Sequence, residues 1–143
     1  RVVRLFGFDP KVAFVSHSTF GQPLTNRTKH IKKAVEILKE KNVDFEFDGD
    51  MQPDVALNEE YKSLYPFSKI VGNANILIMP GQHSAAISYK MMKSLGDIKV
   101  IGPLLIGLGL PIEIAPLRSS TSEIINLASI AAYSADIIDY KKD

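Results

Sequence analysis

Four polar residues at the end of one apolar run could bind an anion. Ser16, His17, Ser18 and Thr19 close a predicted strand over residues 12–16 and supply three hydroxyls and one imidazole. Hydroxyls and ring nitrogens at the carboxyl end of a strand can hydrogen-bond to phosphate oxygens. The same side chains can instead satisfy the backbone of a local turn. The sequence leaves both interpretations open.

A second candidate site lies where a helix is predicted to begin. Gln82, His83 and Ser84 follow two helix-breaking residues and lead into the periodic segment 84–95, whose first residue is Ser84. Backbone N–H groups at a helix N-terminus bind anions. His83 could act as a base, although no partner acid is visible in the sequence. Ser84 is predicted to be the N-cap.

A third candidate site precedes the last predicted helix. Arg118 and Ser119 are followed by Ser120, which stands three residues before Glu123. A serine at this distance from a glutamate is typical of a capping box. An arginine beside a hydroxyl-rich helix start is also a good phosphate-binding arrangement, and the two roles are compatible.

Two other patterns are rejected as sites. Asp48, Asp50 and Asp54 could hold Mg²⁺ or Ca²⁺, but their spacing is not that of an EF-hand, and a turn followed by a helix start explains them better. Gly107 and Gly109 form only part of a dinucleotide fingerprint. No Gly-x-Ser-x-Gly elbow is present. We therefore predict no catalytic residue and no metal ligand in this chain.

The composition excludes several classes of function. The 143 residues contain 17 basic and 16 acidic side chains, a net charge of +1, which gives no electrostatic reason to expect binding to nucleic acid or to a membrane surface. The absence of cysteine excludes disulfides and thiolate catalysis and fits a cytoplasmic location. No apolar stretch is long enough to span a bilayer, and no signal peptide is expected.

Strands and helices alternate along the chain, which predicts an α/β three-layer α/β/α sandwich with a mainly parallel sheet. Ligands of such sheets bind at the carboxyl ends of the strands. The predicted strands cover residues 12–16, 45–47, 75–79, 99–101 and 112–114, and the predicted helices cover residues 26–41, 54–61, 84–95 and 121–140. Residues 102–111 are predicted to be a buried loop. The last helix is apolar on most faces and is expected to lie in a core or in a subunit interface.

Several sequence blocks, taken together and in order, resemble one family. Residues 48–57 read DGDMQPDVAL, residues 73–80 read NANILIMP, residues 101–111 read IGPLLIGLGLP and residues 124–128 read IINLA. These blocks are similar to those of the phosphate acetyl/butyryltransferases, including the homologous domain that is fused to malic enzymes. The resemblance implies a module like isocitrate and isopropylmalate dehydrogenases, with two lobes and a cleft. Residues 1–143 are expected to form the second half of that module.

Active transferases of this family typically carry Ser-Arg-Gly before the last helix and an acidic residue in its first turn. Here the segment reads Pro116-Leu117-Arg118-Ser119-Ser120. The departure makes the chain more similar to the domains fused to malic enzymes, which implies an acetyl-CoA-sensing, regulatory domain that holds a homo-oligomer together. The resemblance implies no cofactor here, and a parent enzyme that uses NAD(P) and Mg²⁺ or Mn²⁺ to decarboxylate malate to pyruvate.

The resemblance further implies a cleft that binds acetyl-CoA or a related acyl-CoA and contacts the rest of the malic enzyme chain. The predicted binding residues are Ser16, His17, Ser18, Thr19, Gln82, His83, Ser84, Arg118, Ser119 and Ser120. Two alternatives remain open. The chain could be an active phosphate acyltransferase, which would act by proximity and electrostatic stabilisation. It could also be an oligomerisation scaffold that has lost its ligand.

Overall fold

The computed structural model of the chain describes residues 2–139, and their side chains as far as residue 135. Strands and helices alternate in the order α1 (Val2–Leu5), β1 (Lys11–Val15), α2 (Asn26–Glu40), β2 (Glu46–Met51), α3 (Pro53–Leu57), α4 (Glu59–Lys62), β3 (Ile76–Ile78), α5 (Gln82–Leu95) and α6 (Thr121–Asp139). None of these helices combines the length and hydropathy needed to cross a lipid bilayer.

The three strands form one parallel sheet with β1 in the middle, in the order β2-β1-β3. Val12 lies opposite Phe47 on one side and Ile76 on the other, and the register of β1 and β2 shifts before Val15 pairs with Met51. The α/β class with a parallel sheet is therefore confirmed. The likeness to isocitrate dehydrogenase and the two-lobe module stay predictions.

The chain divides into two compact units, Arg1–Lys90 and Met91–Asp143. The first unit has a core of small and medium apolar side chains from β1, β2, α3 and the segment before β3. Its buried members are Ala13, Val15, Met51, Val55, Ala56, Ile70 and Ala74. Because the middle strand carries residues buried on both sides, its sequence is a nearly continuous apolar run rather than an alternating one.

Helix α2 begins with a threonine pair. Thr25 is the N-cap, its hydroxyl accepts a hydrogen bond from the Thr28 N–H, and the Thr28 hydroxyl accepts one from the Thr25 N–H. This reciprocal arrangement satisfies two N–H groups that a helix start otherwise leaves open. The helix therefore starts one residue after Thr25, at Asn26, as the predicted range 26–41 has it.

Two predicted boundaries in the first unit are wrong. Strand β2 continues to Met51, through residues assigned to a polar loop, because both aspartates there find hydrogen-bond partners inside the fold. The single helix predicted over residues 54–61 is two short helices, separated at Asn58, whose side chain accepts the Glu60 N–H and restarts the helix.

The predicted N-cap of α5 is also wrong. The helix begins at Gln82, so Ser84 lies in its first turn and its hydroxyl donates to the Gly81 carbonyl at 2.8 Å. A serine can bond either to a following N–H or to a preceding C=O, and sequence alone does not choose between them.

The second unit contains helices but none of the strands predicted for it. Residues 99–101 and 112–114 lack a strand partner within the described part of the chain. The loop over residues 102–111, predicted to be buried, is mostly exposed. Apolar residues favour burial. A strand, however, also needs a neighbouring strand for its hydrogen bonds, and a buried loop needs other segments to cover it.

Helix α6 confirms the prediction of a helix and corrects its environment. Leu127 is buried, but Ile124 and Ile125 are exposed, the latter by 58%. The expectation of burial within this chain's core is therefore wrong, whereas the expected subunit interface stays a prediction. Residue 140, the predicted helix end, lies outside the described residues.

Gly49 provides a test of the β1–β2 packing. A Cβ atom at this position would lie 2.6 Å from the Phe14 carbonyl oxygen, and its φ of +149° disfavours other residues. We expect Gly49→Ala to lower the free energy of unfolding by at least about 2 kcal/mol, measured by urea denaturation. Gly109→Ala is the control, because a Cβ there meets nothing within 4 Å. Equal effects of the two substitutions would contradict this account.

Candidate functional site

The carboxyl ends of the three strands lie along one edge of the sheet in the first unit. Val15 pairs with Met51, and Phe14 pairs with Ile78, so the segments that follow β1, β2 and β3 leave the sheet side by side. The structure thereby brings two sequence-predicted sets, residues 16–19 and residues 82–84, to the same edge. We call this edge the carboxyl edge.

The first set lies mostly inside the fold. Ser18 is fully buried, its hydroxyl donates to a carboxylate oxygen of Asp50, and its N–H donates to the Ser16 hydroxyl. The Ser16 N–H in turn donates to the Met51 carbonyl. The Ser18 hydroxyl and the Ser16 N–H thus hold the loop to β2, and the Ser16 hydroxyl accepts a bond within the loop, which is the local hydrogen-bonding role that the sequence left open.

Thr19 and His17 are linked to the residue after β2. The Gln52 N–H donates to the Thr19 hydroxyl, and the Gln52 side-chain amide donates to the His17 carbonyl, both at 3.2 Å. Thr19 is buried, whereas His17 is exposed. Of the four residues in this set, His17 therefore presents its side chain to solvent at the carboxyl edge.

Asp50, which the sequence analysis considered only as a metal ligand and rejected, has a structural role at this edge that the sequence analysis missed. Its side chain accepts the Ser18 hydroxyl on one oxygen and the Gly21 N–H, at 3.0 Å, on the other. Its carbonyl accepts the Phe20 N–H at 2.6 Å. Asp50 is only 3% exposed. A carboxylate at the end of a strand, with a hydroxyl-rich loop after the neighbouring strand, is the sequence signal that could have identified it.

Asp48 has a similar structural role. It is buried, and its carboxylate accepts the N–H groups of Gly49 and Lys69. Asp54 is exposed and accepts the Val55 N–H at the start of α3. Among residues 2–139, no group of three or more acidic or histidine side chains could hold a metal ion.

The second set opens α5. Gln82 and His83 are exposed, and Ser84 is half-buried with its hydroxyl turned to the Gly81 carbonyl. The first N–H groups of a helix have no intrahelical acceptor, and the helix dipole gives this end a partial positive charge. The first turn of α5 is therefore able to bind an anionic group at the carboxyl edge.

The third set belongs to the second unit and is described on its own. Arg118 is exposed, and the Ser119 N–H donates to the Pro116 carbonyl. The predicted capping box is confirmed, since Glu123 accepts the Ser120 N–H at 2.7 Å while the Ser120 hydroxyl accepts the Glu123 N–H at 3.3 Å. That all three sets share one cleft stays a prediction.

Glu123 is further held by a lysine from α5. The Lys93 ammonium lies 2.5 Å from its carboxylate. This contact, followed by the hydrogen bonds from Ser120, lowers the pKa of Glu123 from 4.5 to about 2. The carboxylate is ionised at neutral pH; one of its oxygens accepts from Lys93, and the other accepts from the Ser120 N–H and hydroxyl at the helix start.

A small cavity of about 310 Å³ lies at the opposite, amino edge of the sheet. It is lined by residues that flank the starts of β1 and β2, namely Asp9, Pro10, Lys11, Asp44, Phe45 and Glu46. None of the sequence-predicted site residues lines it. Because ligands of parallel sheets bind at the carboxyl ends of the strands, we regard the carboxyl edge as the candidate site.

Comparison with known proteins identifies relatives over nearly the whole chain. The family described as Phosphate acetyl/butaryl transferase matches residues 1–132. An NADP-dependent malic enzyme of Rhizobium meliloti is 47% identical over 94% of this chain and 18% of its own length. A phosphate acetyltransferase of Clostridium acetobutylicum is 35% identical over 92% of this chain and 40% of its own length.

Solved structures agree with this relationship. A phosphotransacetylase from Streptococcus pyogenes superposes with a TM-score of 0.85 at 35% identity, over 93% of this chain and 41% of its own. The EutD phosphotransacetylase from Staphylococcus aureus gives a TM-score of 0.84 at 30% identity, over 93% of this chain and 42% of its own. This chain thus spans about a fifth of the malic enzyme and about two-fifths of the phosphotransacetylases.

Asp50→Ala tests whether this side chain fixes the carboxyl edge. We expect the free energy of unfolding to fall by about 2–3 kcal/mol, because the substitution leaves the buried Ser18 hydroxyl without its acceptor. Amide exchange at Gly21 should accelerate. Asp54→Ala, from the same acidic segment but exposed, is the control and should cost less than about 1 kcal/mol. A similar loss in both variants would disprove the special role of Asp50.

The pKa of Glu123 leads to a prediction about acid stability. Because the pKa is lowered on folding, the ionised carboxylate stabilises the folded protein fully above pH 4.5, and this stabilisation is lost as the pH falls towards 2. We expect the unfolding temperature of the wild type to fall more steeply across this interval than that of Glu123→Gln. Glu36→Gln, on the exposed face of α2, controls for the loss of one charge. Parallel curves for wild type and Glu123→Gln would contradict the prediction.

Proposed function

The chain belongs to the phosphate acetyl/butaryl transferase family, and from this premise we propose that it is the regulatory, acetyl-CoA-sensing and oligomerisation domain of a malic enzyme, without transferase activity of its own. The identity of 47% to the malic enzyme of Rhizobium meliloti, against 35% to the phosphate acetyltransferase of Clostridium acetobutylicum, supports this assignment. We expect the parent enzyme to decarboxylate malate to pyruvate in the cytoplasm with NAD(P) and Mg²⁺ or Mn²⁺, using residues outside this chain.

The proposal rests mainly on the residues at the start of α6 and on the hydrogen bonds that they make. In an active transferase, a serine next to the arginine and an acid in the first turn would act on the reactants. Here Leu117 precedes Arg118, while the Ser120 hydroxyl and the Glu123 carboxylate hydrogen-bond to each other. With Lys93 also bound and a pKa of about 2, Glu123 is a poor proton acceptor at neutral pH. In this proposal, Ser120 and Glu123 stabilise the start of α6 and do not transfer protons.

Binding requires fewer groups than catalysis, and the chain retains them. The exposed first turn of α5 offers backbone N–H groups, and His17 adds an imidazole on the same edge. Arg118, exposed in the second unit, offers a guanidinium that matches phosphate geometry. Each of these groups, taken in its own unit, suits a phosphate of acetyl-CoA, and we propose that each can bind one.

Regulation requires that acetyl-CoA have different affinities for two conformations of the parent enzyme. Acetyl-CoA changes the activity of the parent enzyme only if it binds one conformation more tightly than another. The exposed apolar side chains of α6, Ile124 and Ile125 among them, provide a surface suited to a subunit contact. A ligand bound near such a contact can favour one arrangement of the subunits.

An active phosphate acyltransferase is the second candidate. It is favoured by the phosphate acetyltransferases among the relatives and by the exposed Arg118. The two proposals differ in one assay, because an active transferase releases free coenzyme A from acetyl-CoA only when phosphate is added. We expect no phosphate-dependent release from the full-length protein.

Arg118→Ala tests the sensing role. We expect acetyl-CoA to change the rate of malate decarboxylation by the full-length protein. The variant should need about ten- to hundredfold more acetyl-CoA for half of the effect, since a hydrogen bond to a charged group contributes about 1.5–3 kcal/mol. The measurement is NAD(P)H formation across an acetyl-CoA titration. Lys39→Ala, which removes one exposed positive charge from the far end of α2, should behave as the wild type.

The possible results separate the candidates. A response to acetyl-CoA that is equal in the wild type and in Arg118→Ala would remove Arg118 from the site. No response in the wild type would refute sensing and leave the scaffold, or the transferase if coenzyme A is released with phosphate.

A further inference from the structure

Three aromatic rings meet beside the carboxyl edge, and no step of the proposed function uses them. The ring centroids of Phe20 and Phe67 are 4.7 Å apart, those of Phe20 and Tyr65 are 5.5 Å apart, and those of Tyr65 and Phe67 are 6.1 Å apart. Phe20 belongs to the loop after β1, and the other two rings follow α4. We call these three residues the aromatic cluster.

The backbone of the cluster is held in a costly conformation. Phe20 has φ of +50°, which is rare for a bulky side chain. It is kept there by its N–H bond to the Asp50 carbonyl and by the neighbouring Gly21 N–H bond to the Asp50 carboxylate. Such conformations persist only where the surroundings impose them, and they are frequent at ligand-binding sites. The backbone that carries the Phe20 ring is therefore held in place before any ligand binds.

The cluster has one packed side and one open side. Phe20 and Tyr65 pack against the buried core of the first unit. Phe67 contacts both rings but is 64% exposed. An exposed ring supported by two others costs little to order on binding and offers a rigid apolar surface.

We propose that the aromatic cluster binds the adenine ring of acetyl-CoA by stacking on Phe67. This inference rests on the proposed function and extends it to the group that recognises the nucleotide. The cluster adjoins the end of β2, and the first turn of α5 follows β3, on the other side of β1. Neighbouring strands are about 4.8 Å apart, so the two strand ends are separated by about 10 Å. An elongated ligand with its base at one end and its phosphates further along can span that distance.

The chemistry of the cluster favours a nucleobase over the rest of the ligand. Adenine is planar and offers a π face to an aromatic side chain, whereas the pantetheine arm is flexible and has no such face. Stacking of a base on an aromatic ring contributes about 1–3 kcal/mol, as measured by alanine substitution. No charged group is required for this contact, which suits a cluster made only of Phe and Tyr rings.

The test compares acetyl-CoA binding to full-length variants by calorimetry. We expect Phe67→Ala to weaken binding about tenfold, and Phe67→Tyr, which keeps the ring, to bind within twofold of the wild type. Phe8→Ala is the matched control, because Phe8 is 62% exposed in the same unit and lies outside the cluster. The fall in adenine absorbance that accompanies stacking should be visible with the wild type and with Phe67→Tyr and smaller with Phe67→Ala.

The outcomes of the binding experiment distinguish failure of the adenine site from failure of the proposed function. Equal affinity of the wild type and Phe67→Ala, with the proposed sensing intact, would overturn the adenine site alone. Equal weakening by Phe8→Ala and Phe67→Ala would also overturn it, since the loss would then be unspecific. A wild type that does not bind acetyl-CoA would overturn the proposed function together with this inference.

Discussion

The buried side chain of Asp50 fastens the loop after β1 to the end of β2, and the geometry of the carboxyl edge depends on it. One residue accepts hydrogen bonds from Ser18, Phe20 and Gly21. Because these bonds fix residues 18–21, they also fix the outward direction of His17 and the unusual backbone of Phe20. Burial of an acidic residue is costly unless its oxygens are satisfied, so the loop and the aspartate stabilise each other.

The first turns of α5 and α6 differ in the hydrogen bonds that their serine side chains make. At α6, Ser120 and Glu123 satisfy the first turn, and Lys93 neutralises the carboxylate. At α5, the Ser84 hydroxyl donates to the Gly81 carbonyl, so this hydroxyl does not cap the first-turn N–H groups. A satisfied helix start contributes stability, whereas an open one retains N–H groups for a ligand. This contrast is the reason that we assign phosphate binding to α5 and a structural role to Glu123.

The second unit exposes apolar side chains that a chain in water would be expected to cover. Leu105, Ile106, Leu110 and Ile125 are examples, and large exposed apolar side chains are frequent at contact sites. The chain spans about a fifth of the malic enzyme that it resembles. We propose that these residues contact other parts of a longer chain or a second subunit. The predicted strands over residues 99–101 and 112–114 lack partners within residues 2–139, which fits the same proposal.

The sequence by itself determined the α/β class, the positions of β1, α2 and α6, the Ser120–Glu123 capping box and the family. These features depend on periodicity, on caps and on motif order, all of which are local along the chain. Only the tertiary structure decided that the Ser18 hydroxyl donates to Asp50, that β2 continues through two aspartates, and that the rings of Tyr65 and Phe67 contact Phe20. Each of these contacts joins residues that are more than thirty positions apart or that lie on different strands. The pairing of such residues is set by strand register and by burial, and neither is encoded in the spacing of the residues involved.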